Sequence, residues 1–172
     1  SMARDQVGEG VSAFELISRT GLSFLSETLP DLHQPWPEPP EWCVLIDLGL
    51  GRGQDPDAAL ETLFGEAMEA GLVTDGLVAQ SRQQRQDFWS IREHIPEANK
   101  RVGSIASHDI SLPLGAVAEF IARGARRISE FGQFRINCFG HLGDGNLHYN
   151  VFPMPGHDRS EYDSQKPEIS RA

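Results

Sequence analysis

Apolar positions along the chain fall into short runs of two kinds. Phe14, Ile17, Gly21 and Leu25 recur at helical spacing behind Ser12-Ala13-Phe14-Glu15. In such a segment a serine, and a glutamate three residues on, cap each other's free backbone N–H groups. This predicts a helix over about residues 12–27. Prolines at 30, 35, 37, 39 and 40 cannot donate helix or ladder hydrogen bonds, so residues 30–40 read as an extended connector. Trp42, Val44, Ile46 and Leu48 then alternate as on a strand. Asp55-Pro56 starts a helix in the favoured order of cap and proline. Its expected buried stripe is Leu60, Leu63, Phe64, Ala67 and Met68, with Gly71 as the stop. Residues 76–80 are a weaker strand candidate. Ser81 and Gln84 cap a third helix bearing Phe88, Ile91 and Ile95, which Pro96 is expected to kink or begin to end. Residues 105–112 read as a strand, and Pro113 opens a fourth helix with Val117, Phe120, Ile121, Gly124 and Ile128 on one side. A hairpin, residues 134–142 and 147–152, completes the pattern.

This order predicts an α+β fold of ferredoxin-like type, a largely antiparallel sheet with helices on one face. No repeat occurs at solenoid periods. Ser1-Met2 reads as a tag remnant, and residues 1–10 as that remnant with a disordered start. Residues 11–153 form the expected domain. Residues 154–172 are polar, contain prolines and lack periodicity, so a disordered tail is expected.

Composition narrows the class. Hydrophobic residues make up 39% and charged residues 23% of 172 positions, ordinary for a soluble globular chain. The net charge of -10 repels nucleic acid and anionic membrane surfaces. No apolar run approaches bilayer length, which predicts no transmembrane segment. Cys43 and Cys138 are too few for a disulfide framework or a four-cysteine zinc site. They read as free thiols of a reducing, cytoplasmic compartment.

Candidate chemistry concentrates between His141 and Asn150. Asp144-Gly145 is a favoured two-residue hairpin turn. Centring the turn there pairs Gly143 with Asn146, Leu142 with Leu147, and His141 with His148, whose Cβ atoms would lie about 4.5–5.5 Å apart. One face then collects Asn137, Phe139, His141, His148 and Asn150, and the other Ile136, Cys138, Leu142, Leu147, Tyr149 and Val151. A longer loop shifts the pairing but keeps both histidines beside one turn. Two histidines fall short of the three protein ligands of a catalytic zinc site, so a cross-strand pair without metal stands beside the metal reading. Neither the dinucleotide fingerprint nor the P-loop spacing is present. Arg92, on spacing alone, is a solvated helix charge. His33, His94 and His157 read as solvated, and His108 as structural.

Phe139-Gly140-His141-Leu142-Gly143-Asp144-Gly145-Asn146-Leu147-His148 resembles the histidine motif of the FAD-linked oxidase C-terminal family, which includes D-lactate, glycolate and D-2-hydroxyglutarate dehydrogenases. Phe88-Trp89-Ser90-Ile91-Arg92-Glu93, His108-Asp109-Ile110-Ser111-Leu112-Pro113 and Ala13-Phe14-Glu15-Leu16 are similar to other stretches of that family, in its order. The resemblance implies that residues 11–153 are a fragment of a substrate, or cap, domain. It implies that His141 and His148 hold a divalent metal, zinc first among candidates, and that Asn150 contacts a small 2-hydroxy acid. It also implies that Arg92 binds the substrate carboxylate, as a guanidinium does well. FAD is then the second cofactor, bound mainly by a domain outside this chain.

Departures from the pattern bear on substrate. Ser107 stands where D-2-hydroxyglutarate dehydrogenases have a substrate-binding lysine, and Pro96 where they have a threonine. The family's following Glu-His pair, a third metal ligand and a catalytic histidine, is not found before Ala172. The fragment alone is therefore expected to be inactive and colourless. The expected parent reaction is hydride transfer from a small D-2-hydroxy acid to FAD, with metal assistance. A non-catalytic ferredoxin-like ligand-binding or regulatory module is the rival, and a metal-dependent hydrolase a third reading. The sequence leaves the electron acceptor unknown, and the oligomeric state, a homo-oligomer included, open.

Overall fold

The computed structural model describes residue 3 and residues 8–171. In chain order it contains β1 (Val11–Ser18), α1 (Arg19–Thr28), β2 (Trp42–Leu48), α2 (Pro56–Glu69), α3 (Arg82–Val102), β3 (Ala106–Ser111), α4 (Val117–Ser129), β4 (Arg135–His141), β5 (Asn146–Phe152) and α5 (Lys166–Ile169). The strands form one antiparallel sheet in the order β2-β1-β4-β5-β3. The α+β class and the antiparallel sheet are as expected. The layering is richer than one helical face.

On the front face α1 and α3 pack over Ile17, Phe139 and Phe152, bringing Leu22, Phe24, Leu25, Ile91, Ile95 and Ala98. Phe24 and Phe152 meet edge to face at 4.7 Å. On the back face α4 brings Val117, Phe120 and Ile121 against Leu16, Cys138, Leu147 and Tyr149. Each apolar side chain so buried contributes roughly 1.5–3 kcal/mol.

Covering both faces explains the first correction. The helix expected over residues 12–27 is a strand followed by a helix. β1 lies between β2 and β4, with Leu16 buried on one side and Ile17 on the other, so it lacks simple alternation. Its residues and those of α1 together imitate helical spacing. The true cap is Ser18, whose Oγ accepts the Gly21 N–H at 3.4 Å. Ser12 and Glu15 form no capping box.

Other elements follow local signals more closely. Asp55 caps α2 through its carboxylate, with proline next. Ser81 caps α3, and Gln84 returns a bond to the Gln80 N–H at 2.7 Å. Pro96 does not end α3, which runs on to Val102 and stops at Gly103 with φ of 84°. Ile95, Ala98 and Asn99 are buried around that proline, and their packing holds the helix across the missing N–H. Residues 76–80 form no strand. In the α2 stripe Leu63 is buried and Leu60, Phe64 and Ala67 are half-buried, but Met68, expected in the core, is 43% exposed, because α2 lies outside the two layers.

Of the expected start, residues 8–10 form a 3-10 turn, and Ser1-Met2 lies outside the described residues. The tail differs from its expected disorder. Residues 159–162 form a capped 3-10 turn, and Ile169 of α5 is buried with Ile105, Ala106, Ile128 and Val151. His108 fastens it, one ring nitrogen against Tyr149 O at 3.0 Å and the other against Ser170 O at 3.2 Å. Among the described residues no helix is long and apolar enough to cross a membrane.

Candidate functional site

The turn after β4 sets the register on which the site depends. It is a four-residue loop, residues 142–145, rather than a two-residue one. Only Gly145 adopts positive φ, at 76°, and Asp144 does not. Asp144 instead accepts the Asn146 N–H through its carboxylate at 3.0 Å, an Asx closure. A Cβ on Gly145 would stand 1.9 Å from Leu112 O, so no other residue fits there. The Gly143 N–H donates to Phe14 O, and the Leu112 N–H to Gly145 O, which straps the loop to the segments on either side.

The pairing is therefore shifted by two from the expected one. His141 faces Asn146, and Phe139 faces His148. A shift of two preserves the faces, so both histidines remain on the front, now as diagonal neighbours. At that spacing backbones are roughly 7–8 Å apart and long side chains still converge.

Each histidine is held at Nδ1 by a carboxylate from the neighbouring strand. His141 Nδ1 meets Glu15 Oε1 at 2.5 Å, and His148 Nδ1 meets Asp109. Both pairs follow from the register, which places Glu15 opposite His141 and Asp109 opposite His148. The front of the sheet thus carries acid, histidine, histidine, acid across four strands. The His148 ring also stacks at 4.7 Å on Phe139.

Arg92 comes down onto this row from α3. Flanked by buried Ile91 and Ile95, it is pulled inward with the helix's apolar side. Its guanidinium lies 5.0 Å above the Phe139 ring, a cation–π distance. Its Nε donates to Glu15 Oε2 at 2.7 Å. The side chain is only 10% exposed. Its two terminal nitrogens have no partner among the described residues, yet are not among the fully buried orphan atoms. Arg92 lines a cleft of about 650 Å³ together with Phe14, Glu15, Trp89, Glu93 and His141 among others.

The expected site residues are thus divided. Arg92 and His141 meet in the cleft around Glu15. His148 shares their face but does not line the cleft. Asn150 lies deeper, nearly buried, and its Oδ1 accepts the His108 N–H at 3.2 Å. It sits opposite Asn137, which is fully buried. Asn137 Oδ1 accepts from Ser18 Oγ and its Nδ2 donates to Asn99 Oδ1, each at 2.8 Å. Among the described residues no group of three or more metal-ligating side chains occurs.

Glu15, Asp109 and Asn137 escaped sequence reasoning as functional positions. The available signals are the place of Glu15 and Asp109 in stretches that resemble the family, and the place of Asn137 on the histidine face of the hairpin. The thiols offer no nucleophile: burial pushes Cys138 up to about 12 and Cys43 up to about 11, so both stay protonated at neutral pH.

Comparison with known proteins adds an independent line. The family described as FAD linked oxidases, C-terminal domain, matches residues 1–166. A protein named as a probable mitochondrial D-2-hydroxyglutarate dehydrogenase of Oryza sativa subsp. indica is 36% identical over 158 residues, 91% of this chain and 28% of that protein. A mitochondrial D-2-hydroxyglutarate dehydrogenase of Arabidopsis thaliana is 30% identical over 91% of this chain and 28% of its own length. A D-2-hydroxyglutarate dehydrogenase of Stutzerimonas stutzeri is 31% identical over 88% and 32%. The chain spans under a third of the length of these relatives.

Proposed function

Because the chain belongs to the family of FAD-linked oxidase C-terminal domains, we propose that it forms the substrate-binding part of a dehydrogenase that oxidises a small D-2-hydroxy acid. The observation that carries this reading is Arg92. A nine-tenths buried arginine that lines a cleft together with an imidazole is suited to one planar carboxylate. The adjacent His141 then stands where the 2-hydroxyl of the same molecule would lie.

In this reading Arg92 binds and orients the carboxylate, and Phe14 and Trp89 wall the cleft against water. His141 and His148 would hold a divalent metal, zinc in the first instance. The residues fit that role as two ligands: each turns Nδ1 to a carboxylate, as metal-binding histidines commonly do, which leaves Nε2 for the ion. A third ligand must come from elsewhere. FAD would be held mainly by residues outside this chain. When bound, the flavin takes the hydride and the ion polarises the hydroxyl. Asn150, whose Oδ1 is held by the His108 backbone N–H, would contact the substrate through its Nδ2 donors.

The acid belongs to the lactate, glycolate or 2-hydroxyglutarate class. Glu93 and Asp144 on the cleft wall disfavour a second carboxylate, and the Ser107 hydroxyl donates to Ser104 Oγ, so a monocarboxylate is favoured. The cytoplasmic location expected from the sequence is a proposal set beside relatives named as mitochondrial. Flavin bleaching of the full-length parent protein by a panel of D-2-hydroxy acids tests the function. Bleaching by a D-monocarboxylate at low concentration is expected, and no bleaching by any 2-hydroxy acid rejects it.

A further inference from the structure

Both groups given to the substrate hang on one carboxylate. Glu15 receives Arg92 from 77 residues away through Oε2 and His141 from 126 residues away through Oε1. Its side chain is only 4% exposed, while the His141 side chain is 59% exposed, so at the Glu15 end little water competes for either bond. An ionised carboxylate is acceptor-only, with one oxygen for each of two donors. An amide in its place has one oxygen and one NH2 group, and the latter would face a donor.

We infer that Glu15 is a positioning residue that sets the chemistry of two neighbours at once. By accepting at His141 Nδ1 it keeps the proton there, and Nε2, across the ring, becomes the lone-pair atom. By occupying the Nε edge of Arg92 it leaves only the edge formed by the two terminal nitrogens for an incoming carboxylate. The lone pair and the two donors are then fixed relative to each other through a single buried group. The contrasting pair on the same face makes the point: His148 also has a carboxylate at Nδ1, but Asp109 is 79% exposed, and water can replace it. The roles of His141 and Arg92 toward substrate rest on the function proposed above. The positions of the hydrogens do not.

The test uses this chain, labelled with 15N at histidine and arginine, with no substrate, flavin or metal added. Spectra of the neutral His141 ring are expected to show its proton at Nδ1 and its lone pair at Nε2. The Arg92 Nε–H should exchange slowly. In Glu15→Gln, with fold verified by circular dichroism, one of the two must be lost. Either His141 becomes a mixture of tautomers, or Arg92 Nε–H exchange accelerates by about tenfold or more, as loss of a charged hydrogen bond implies. A neutral wild-type His141 ring that is bare at Nδ1 overturns the proposal. So does a folded Glu15→Gln chain with both signals unchanged. Should that variant fail to fold, the wild-type tautomer alone decides. A failed substrate screen leaves this measurement intact, and the reverse also holds.

Discussion

The two faces of the sheet use the same strands and treat polar groups in opposite ways. On the front, Glu15, Arg92, Asn99, Asn137 and Asn150 are all buried and all have partners. On the back, the apolar layer under α4 contains one buried polar atom without a partner, the Tyr149 hydroxyl. Burial alone therefore does not mark a site here. What separates the faces is that front-side polar groups come from distant strands and helices and satisfy one another, whereas the phenol arrives with its ring and finds nothing.

The sharpest way to break this comparison is Glu15→Ala. Removing one partner of a buried ion pair typically lowers stability by about 3–5 kcal/mol, and urea denaturation of the chain should read that loss. Asp109→Ala, which removes the exposed carboxylate of the companion pair, should change stability by no more than about 1 kcal/mol. Equal losses would mean that burial does not distinguish the two pairs.

A somewhat smaller effect is expected of Arg92→Ala in the full-length parent protein. Loss of a buried charged partner weakens binding by about 2–5 kcal/mol, so kcat/KM should fall steeply while bound flavin per subunit stays constant. Kinetics within about threefold of wild type, well inside the tenfold equivalent of 1.4 kcal/mol, would return Arg92 to the status of a structural charge.

The smallest effect belongs to the back face. Tyr149→Phe deletes the orphan hydroxyl and should leave the chain equally stable or up to about 1 kcal/mol more stable at neutral pH. Burial first, and the nearby Cys138 second, push the Tyr149 phenol from 10.0 up to about 12. A raised folded-state value means that the unfolded chain loses its proton first. The stability linked to this group is therefore complete below about pH 10 and is lost as pH climbs toward 12. Denaturation midpoints across that range should fall less in the phenylalanine variant. A neutral-pH loss of stability would show that the hydroxyl has a partner after all.

The same contrast shows what was legible in the sequence. β2, the hairpin and helices α2 to α4 announce themselves through local spacing and caps at Asp55 and Ser81. β1 does not, because a strand covered on both faces has no alternation, and the adjoining α1 completed a false helical period. The hairpin's faces were readable but its register was not: Asp144-Gly145 favours a two-residue turn, while the bonds to Phe14 and Leu112 that impose the longer loop come from distant segments. Met68 looked like core because spacing reports amphipathicity and not whether a neighbour exists to cover it. Ile169 was missed because one apolar residue in a polar tail makes no pattern. In the site, motif resemblance singled out Arg92 and His141; it also took in Glu15 but gave it no role, because its two partners lie 77 and 126 residues away.

The pairing of β1 with β4 has a consequence in time. β1 is made before either of its partner strands, and β2 can cover one of its edges soon afterwards. Its other edge, with Ile17 beside it, must wait for Phe139 and His141. During synthesis that edge stands open until β4 is made, and an unpaired apolar edge is a template for wrong partners. Pairing so distant in sequence also slows closure. The cleft therefore cannot be completed before β4 is made, and a nascent chain stalled before residue 139 carries Glu15 without its His141 partner.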